Sequence, residues 1–312
     1  MTRVDFGVQP LPQRTSFARL LDFWQRLDDL GYDSLWTADH LLPALTREPV
    51  GPAFEGWTAL AALAVQVKRA RVGCLVSAVG FRHPALLAKM AVTLDHATGG
   101  RLDVGIGGGW YELEFQRYGI PFGTRGERSR RLAEQAELLR RLFTEERVTF
   151  RGRYYRVEDA PCEPRPLQQP CPPIWVGGGG EQMTLRTAAR FGDAMNTRGS
   201  PETMAHKSAV VDQHCRACGR DPAAVRRTLL TFCFLTDSIA QADNWTRAMA
   251  DAMGRGEDEV RSINLVGTPA EVRERLEAYA AVGITHVVMQ TMEPWPVAMF
   301  ERFAAEVMPH FR

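Results

Sequence analysis

Polar and glycine-rich residues follow two short apolar segments of this chain. Asp39 and His40 end the segment 34–38, and Gly177, Gly178, Gly179 and Gly180 end the segment 174–176. An imidazole exchanges protons near neutral pH, and a neighbouring carboxylate can orient it. Bare backbone N–H groups in front of a helix bind phosphate well. We therefore predict proton transfer at His40 and a phosphate at the glycines, while a helix-capping Asp39 beside a structural His40 fits the sequence equally well.

A third apolar segment, residues 72–78, leads into Phe81, Arg82 and His83. Arginine and histidine side chains at this place suit contact with an anion. They equally suit the first turn of a helix that starts at Pro84. The sequence alone leaves both interpretations open.

A fourth apolar segment, residues 102–106, runs into Gly107, Gly108, Gly109 and Trp110. The spacing differs from a dinucleotide fingerprint because Trp110 stands at the position of the last glycine. It differs from a P-loop because no Gly-Lys-Ser/Thr follows. Glycines here indicate either close approach of the backbone to a ligand or a sharp turn.

The six cysteines are sparse and irregularly spaced, which does not indicate a disulfide framework. Cys215 and Cys218 form a Cys-x-x-Cys pair that follows His206 and His214. Zinc would require a second matched pair, and a redox pair would begin a helix, whereas this pair ends one. We interpret it as a helix end and expect no metal. Since no serine elbow or HExxH motif is present either, a bound cofactor is expected to supply the chemistry.

Along the whole chain, eight apolar segments alternate with amphipathic helices. The predicted strands are residues 4–8, 34–38, 72–78, 102–106, 174–176, 193–196, 229–235 and 286–290. The first predicted helix is capped by Thr15 or Ser16 and runs to Leu30. The other predicted helices are 58–67, 84–97, 128–143, 181–191, 201–218, 222–227, 240–253, 269–281 and 297–307. This order predicts an α/β protein, a (β/α)₈ TIM barrel in which the strand ends meet at one site. A doubly wound sheet would need a phosphate turn after its first strand, where residues 9–12 read Gln-Pro-Leu-Pro.

Two additions to the barrel are expected, one after the fourth strand and one after the seventh. The first covers about residues 111–173 and includes a β-hairpin at 148–157 and a proline-rich segment at 161–173. We interpret it as an insertion rather than a linker, so that residues 1–312 form a single domain.

Charge and hydropathy exclude several classes of partner. Lys and Arg number 38 against 37 Asp and Glu, which gives a net charge of +1 and no field that attracts nucleic acid or an anionic membrane. The longest apolar stretch, residues 57–67, is too short to span a bilayer. The first residues lack the apolar core of a signal peptide, so we expect a cytoplasmic protein.

Taken together, these segments resemble the luciferase-like monooxygenase superfamily, most closely its coenzyme F-420 (deazaflavin)-dependent oxidoreductases. The resemblance rests on residues 31–40, 82–84, 86–89, 94–102, 105–110, 114–115, 118–122, 173–180 and 267–269. It implies that Asp39 and His40 lie beside the pyrimidine end of the cofactor ring, with His40 a proton donor or acceptor. It also implies a non-proline cis peptide behind the ring, aligned here with Leu75 and Val76.

The resemblance assigns the remaining site residues as well. Gly107, Gly108, Gly109 and Trp110 would face the ring and its tail, and Gly177–Gly180, with Arg198, would hold the phosphate. Trp110 stands where some relatives have a catalytic Glu, which leaves the second acid or base unassigned near Glu112 and Glu114. Gln290 and Phe81 would contact substrate. The aromatic residues Trp36, Trp110, Trp175, Trp295 and Phe81 fit either a pocket wall or the barrel core.

Three functions follow from the resemblance. The first is hydride transfer between coenzyme F-420 and a small organic substrate. The second is a two-component monooxygenase that uses FMNH2 and O2, and the third is a non-catalytic flavin-binding protein. The polyglutamate tail of F-420 favours a basic open groove, whereas FMN requires only a closed phosphate cup. A homodimer and a separate reductase that supplies reduced cofactor are also expected.

Overall fold

The short apolar segments form a closed parallel barrel. The computed structural model describes residues 3–46 and 48–312. The barrel strands are β1 (Asp5–Pro10), β2 (Ser34–Thr37), β3 (Arg71–Ala78), β4 (Leu102–Gly107), β7 (Ile174–Gly177), β8 (Ala194–Thr197), β9 (Arg226–Thr231) and β12 (Ile284–Thr291). Their order around the barrel is β1-β12-β9-β8-β7-β4-β3-β2, and every neighbouring pair is parallel. The predicted (β/α)₈ barrel is confirmed.

Helices pack around the barrel, and several begin where the sequence places a capping residue. They are α1 (Phe17–Asp29), α2 (Gly56–Ala64), α3 (Pro84–Ala97), α4 (Glu112–Arg117), α5 (Arg125–Thr144), α6 (Thr184–Phe191), α7 (Pro201–Ala217), α8 (Ile239–Met253), α9 (Glu257–Ile263), α10 (Pro269–Ala281) and α11 (Val297–Glu306). Ser16 caps α1, and Thr268 forms a capping box with Glu271 at the start of α10. None of the helices within the described residues has the length and apolar character needed to cross a bilayer.

Both expected additions are present. Between β4 and β7 lie α4, α5 and an antiparallel hairpin of β5 (Arg147–Arg151) and β6 (Arg156–Pro161). Between β9 and β12 lie α8, α9, α10 and a small parallel sheet of β10 (Cys233–Leu235) and β11 (Leu265–Gly267). The first addition matters most for the site, because it places α4 and α5 beside the carboxyl end of β4.

Several predicted boundaries are wrong. The helix predicted at 58–67 is Gly56–Ala64, and the helix predicted from residue 128 begins at Arg125. Three further differences have a clear local cause. The segment 229–235 is two strands, because the Phe232 N–H donates to Asn264 Oδ1 (3.0 Å) and the chain then leaves the barrel to pair with β11. The predicted helix 222–227 is only a 3-10 turn at Pro222–Ala224, after which β9 begins. The predicted helix 181–191 starts at Thr184, because residues 181–183 form a turn braced by Lys207, whose Nζ donates to Glu181 Oε1 (3.0 Å).

Large aromatic side chains fill the barrel and the space outside it. Trp36 and Trp175 meet inside the barrel with their ring centroids 4.6 Å apart. Trp295 stacks on Phe23 outside the strands, at 4.9 Å. These three tryptophans therefore belong to the core, which leaves the carboxyl end of the barrel as the open end.

Candidate active site

A cavity of about 540 Å³ opens at the carboxyl ends of the barrel strands. This volume lies in the range of small-molecule and cofactor sites. The predicted residues that line it are Asp39, His40, Leu75, Val76, Gly107, Gly108, Gly109, Trp110, Gly177, Gly178, Arg198 and Gln290. The topology thus brings together predicted residues from six of the eight barrel strands and the loops that follow them.

His40 is held by a carboxylate that is distant in the sequence. Its Nδ1 lies 3.0 Å from Glu114 Oε1, and Glu114 Oε2 accepts the N–H of Leu41 at 2.9 Å. The imidazole is 15% exposed and the carboxylate 2%. Because a carboxylate only accepts hydrogen bonds, the Nδ1 atom carries the proton, and Nε2 is left as the ring nitrogen that can give or take a proton in the cavity.

Asp39 has a different task from the one that its position beside His40 suggests. Both of its carboxylate oxygens pair with Arg82, at 2.7 and 3.0 Å, and Oδ2 also accepts the Ala78 N–H at 3.1 Å. Complete burial raises the pKa of Asp39, and the Arg82 guanidinium opposes that shift. Arg82 also contacts Glu55, the N-cap of α2. Asp39 therefore lines the cavity while tying the ends of β2 and β3 together, and Arg82 is occupied by protein carboxylates.

The wall between the strands is built around Val76. The Leu75–Val76 peptide bond is cis, at the position that the resemblance implied. A Cβ on Gly177 would lie 2.6 Å from a Val76 methyl, and a Cβ on Gly107 would clash with the other methyl. Glycines are therefore required at both strand ends by packing on Val76, and the same absence of side chains leaves the cavity open above them.

The glycine loop after β7 offers unoccupied backbone donors. The Gly178 N–H donates to Asn196 O at 2.9 Å, whereas within the described residues no protein acceptor receives the N–H groups of Gly179 and Gly180. Lys207 braces the loop from below, with Nζ donating to Gly179 O at 2.8 Å. Gly178 and Thr184 reach the cavity, while Gly179 and Gly180 stand next to its lining. Free N–H groups at such a turn fit a phosphate.

Arg198 lies at the polar floor of the cavity. One guanidinium nitrogen donates to Gln290 Oε1, the group lies 4.8 Å from the Phe232 ring, and Nη1 is buried with no hydrogen-bond partner among the described residues. Burial, with a smaller effect of Arg255, lowers the pKa of Arg198 to about 10. Gln290 Nε2 donates to Gln9 Oε1 at 2.8 Å, and Gln9 in turn donates to Leu75 O. A buried cation that lacks a carboxylate partner is ready to receive an anion.

Two predicted residues lie at the margins. Phe81 is not part of the cavity lining, because its ring stacks on Phe115 with the centroids 4.5 Å apart. Trp110 is 57% exposed at the mouth of the cavity, stacked on Tyr111 and edge-on to His40 at 5.6 Å. An indole does not exchange protons near neutral pH, so Trp110 cannot take the role of the catalytic Glu of some relatives. The acidic group that contacts His40 is Glu114.

Several lining residues were not identified from the sequence. They are Gln9, Arg125, Arg128, Ser129, Thr184, Asn196, Thr197 and Leu230, while Glu114 was named only as one of two acidic residues near an unassigned role. Glu114 lies 74 residues from its partner His40, so only the barrel closure brings the two together. Gln9 could have been found as the polar residue near the end of the first strand.

The Cys-x-x-Cys pair lies away from this cavity at the end of α7. Cys215 is buried, and the Cys218 thiol contacts Cys215 O at 3.3 Å. Within residues 3–46 and 48–312, no group of three His, Cys, Asp or Glu side chains is arranged to hold a metal ion.

Comparison with known proteins gives the family. The profile of the luciferase-like monooxygenase family matches residues 1–255. The chain belongs to this family. A relative from Intrasporangium calvum named F-420-dependent glucose-6-phosphate dehydrogenase is 30% identical, over 94% of each chain. The prediction that the chain is an oxidoreductase enzyme of the luciferase-like type is confirmed.

Other members of the family differ in the cofactor that they are named for. An FMNH2-dependent dimethylsulfone monooxygenase from Pseudomonas putida is 29% identical over 64% of each chain. A solved F-420-dependent secondary alcohol dehydrogenase, in complex with an F-420–acetone adduct, superposes with a TM-score of 0.86 over 100% of both chains at 19% identity. At that identity the superposition supports the fold of this luciferase-like protein alone.

Proposed function

We propose that this enzyme transfers a hydride between coenzyme F-420 and a small organic substrate. The observation that carries the proposal is the buried His40–Glu114 pair, which lies in the same cavity as the glycine loop and the Val76 wall. The F-420-dependent relatives, one of them 30% identical along 94% of the chain, support this choice of cofactor.

The cavity residues fit such a cofactor. The N–H groups of the glycine loop and the hydroxyl of Thr184 would hold its phosphate, and Val76 with Leu75 would support the ring. When bound, a deazaflavin supplies a two-electron hydride donor or acceptor at its carbon 5.

His40 is proposed to move the proton that accompanies the hydride. Nε2 of His40 would take the proton from the substrate O–H or N–H that adjoins the C–H bond being oxidised, and in the reverse direction it would return that proton. Glu114 stabilises the resulting imidazolium through Nδ1, at 3.0 Å, so that the charge forms beside a fixed carboxylate.

Arg198 and Gln290 are proposed to bind the substrate. The buried guanidinium has an unsatisfied Nη1, and Gln290 fixes its orientation. A carboxylate, phosphate or polarised carbonyl oxygen on the substrate would satisfy it. The resemblance implied that Arg198 binds the cofactor phosphate, whereas we propose that it binds the substrate.

The test is the variant His40→Ala, with oxidised and reduced F-420 and a panel of sugar phosphates, secondary alcohols and carbonyl compounds. The variant should bind the cofactor within about threefold of the wild type, while turnover falls by about a hundredfold or more. His206→Ala, a change at an exposed histidine whose Nε2 lies 3.1 Å from Glu181, is the matched control. Unchanged turnover in His40→Ala would remove His40 from the mechanism.

The second candidate is a monooxygenase that uses FMNH2 and O2, which the Pseudomonas putida relative favours. Oxygen uptake that depends on reduced FMN and on substrate would support it. Binding of either cofactor without turnover of any tested substrate would favour the third possibility, a non-catalytic flavin-binding protein. The buried acid–imidazole pair argues against the third.

We also propose a homodimer that receives reduced cofactor from a separate reductase. These proposals rest on the resemblance. Light scattering of the purified chain tests the dimer, and a mass near that of one chain would contradict it.

A further inference from the structure

The first turns of α5 place arginines on one side of the cavity. Arg125, Arg128 and Ser129 line it, and within the described residues neither arginine forms an ion pair. The one acidic residue of this turn, Glu127, is used in the capping box with Thr124. The rim of the cavity is therefore positive where α5 begins.

The two arginines differ in how firmly they are held. The Arg128 guanidinium packs over the Phe122 ring at 3.7 Å, and its Nη1 donates to Gly123 O at 2.7 Å. Arg125 is exposed and makes no hydrogen bond within the described residues. Arg125 repels Arg128, and Glu112 only partly offsets the positive charge, so an anion that joins the two arginines would be stabilised.

The position of this rim indicates which anion it would receive. Arg125 and Arg128 share the cavity with Gly178 and Thr184 of the phosphate loop, and β4 and β7, from which these segments lead, are neighbours in the barrel. The 20-residue helix α5 adds the positive end of its dipole. A ligand that continues beyond its phosphate with further negative charges suits this geometry, whereas a ligand that ends at the phosphate leaves the rim unused.

We propose that Arg125 and Arg128 bind the carboxylates of the glutamyl tail of F-420 and so favour this cofactor over FMN. The inference rests on the proposed function. Each glutamate of the tail leaves at least one carboxylate free, whereas FMN has no carboxylate. The rim is open to solvent at Arg125, which lets a tail of variable length leave the cavity.

The experiment measures affinity by cofactor fluorescence, at low and high salt, for deazaflavins that carry the phosphate and zero, two or five glutamates. For the wild type, affinity should rise about fivefold to tenfold from the glutamate-free form to the longer forms, and high salt should remove the gain. The double variant Arg125→Ala/Arg128→Ala should lose the gain while binding the glutamate-free form as the wild type does. The double Lys variant should keep it.

Arg130→Ala is the matched control, because Arg130 lies on the same helix and donates through Nε to Tyr154 Oη at 3.1 Å, outside the cavity. It should behave as the wild type. Equal weakening of all forms in the double Ala variant would overturn the inference, since the arginines would then hold the phosphate. Equal wild-type affinity for all three forms would also overturn it. A wild type that binds FMN but no deazaflavin would overturn the proposed function together with it.

Discussion

The two buried carboxylates of the site, Asp39 and Glu114, have different hydrogen-bond partners and therefore different roles. Asp39 faces Arg82 and the end of β3, so its charge is neutralised within the protein. Within the described residues, the Glu114 carboxylate accepts hydrogen bonds only from the imidazole of His40 and a backbone N–H. In the proposed reaction, a proton taken up by His40 would therefore be stabilised by Glu114, while Asp39 positions β2 and β3.

The first prediction concerns Glu114. Glu114→Gln keeps the shape and an acceptor for Nδ1 but removes the charge, so turnover should fall at least about tenfold while the cofactor Kd stays within about threefold. Glu112→Gln is the control, because Glu112 lies on the same short helix and its carboxylate accepts a hydrogen bond from Gln116 Nε2, at 3.2 Å, and none from His40 within the described residues. Steady-state kinetics and fluorescence titration give the two readouts. Equal turnover in both variants would show that Glu114 does not support the proton transfer.

The second prediction separates two roles of Arg198. If it binds substrate, Arg198→Met should raise KM for an anionic substrate about thirtyfold or more and leave cofactor affinity unchanged, since a desolvated ion pair is lost. Arg198→Lys should recover part of the loss. If the variant instead bound the cofactor more weakly with an unchanged KM, Arg198 would bind the cofactor phosphate, as the resemblance implied.

At the scale of strands and helices, the packing around Val76 sets the shape of the cavity wall. The prediction is that Gly177→Ala lowers the free energy of unfolding by about 1–3 kcal/mol, because the added Cβ would lie 2.6 Å from a Val76 methyl. The second change Val76→Ala should recover part of that loss by making room. Chemical denaturation measures both effects.

Gly256→Ala is the control for this pair, since a Cβ there meets no atom within 4 Å and its φ of -71° is ordinary. Because Gly256 is the N-cap of α9 and alanine caps less well, the change should cost about 0.5–1 kcal/mol, and Val76→Ala should not recover that loss. If the two losses of unfolding free energy simply added in the double variant Gly177→Ala/Val76→Ala, the clash with Val76 would not be the cause of the first loss.

Elements with clear caps and periodicity were predictable from the sequence, and long-range pairings were not. The helices Pro84–Ala97 and Pro269–Ala281 match their predicted bounds because proline and a cap mark their starts. The break between β9 and β10 leaves no local signal, since both sides are rich in apolar residues and the Asn264 that ends the pairing is distant. The short helix α4, which carries Glu114, was missed for the same reason.

For the whole molecule, the closed barrel encloses polar groups that water cannot reach. His286 lies inside it, with Nε2 2.8 Å from Ser34 Oγ, and Trp36 Nε1 donates to the same oxygen at 2.7 Å. Burial, with repulsion from Arg226, lowers the pKa of His286 to about 3 from 6.5. Between about pH 6.5 and about pH 3, the His286 imidazole is therefore protonated in the unfolded chain and neutral in the folded barrel.

The resulting prediction is a loss of stability in acid that His286 causes. As the pH is lowered from about 6.5 to about 3, the free energy of unfolding should fall. His286 should contribute up to about 1.4 kcal/mol per pH unit to that fall. His286→Gln retains an acceptor for Ser34 and removes the titrating ring, so its slope should be shallower by that amount. Parallel slopes for wild type and variant would contradict the assignment.

If the cavity holds F-420 beside the His40–Glu114 pair, the purified chain should distinguish F-420 from FMN. Titration with each cofactor separately, followed by ring absorbance and protein fluorescence, measures both affinities. F-420 should bind at least about tenfold more tightly than FMN. Tighter binding of FMN would make the oxygen-using monooxygenase the better description, and binding of neither would contradict the cofactor assignment itself.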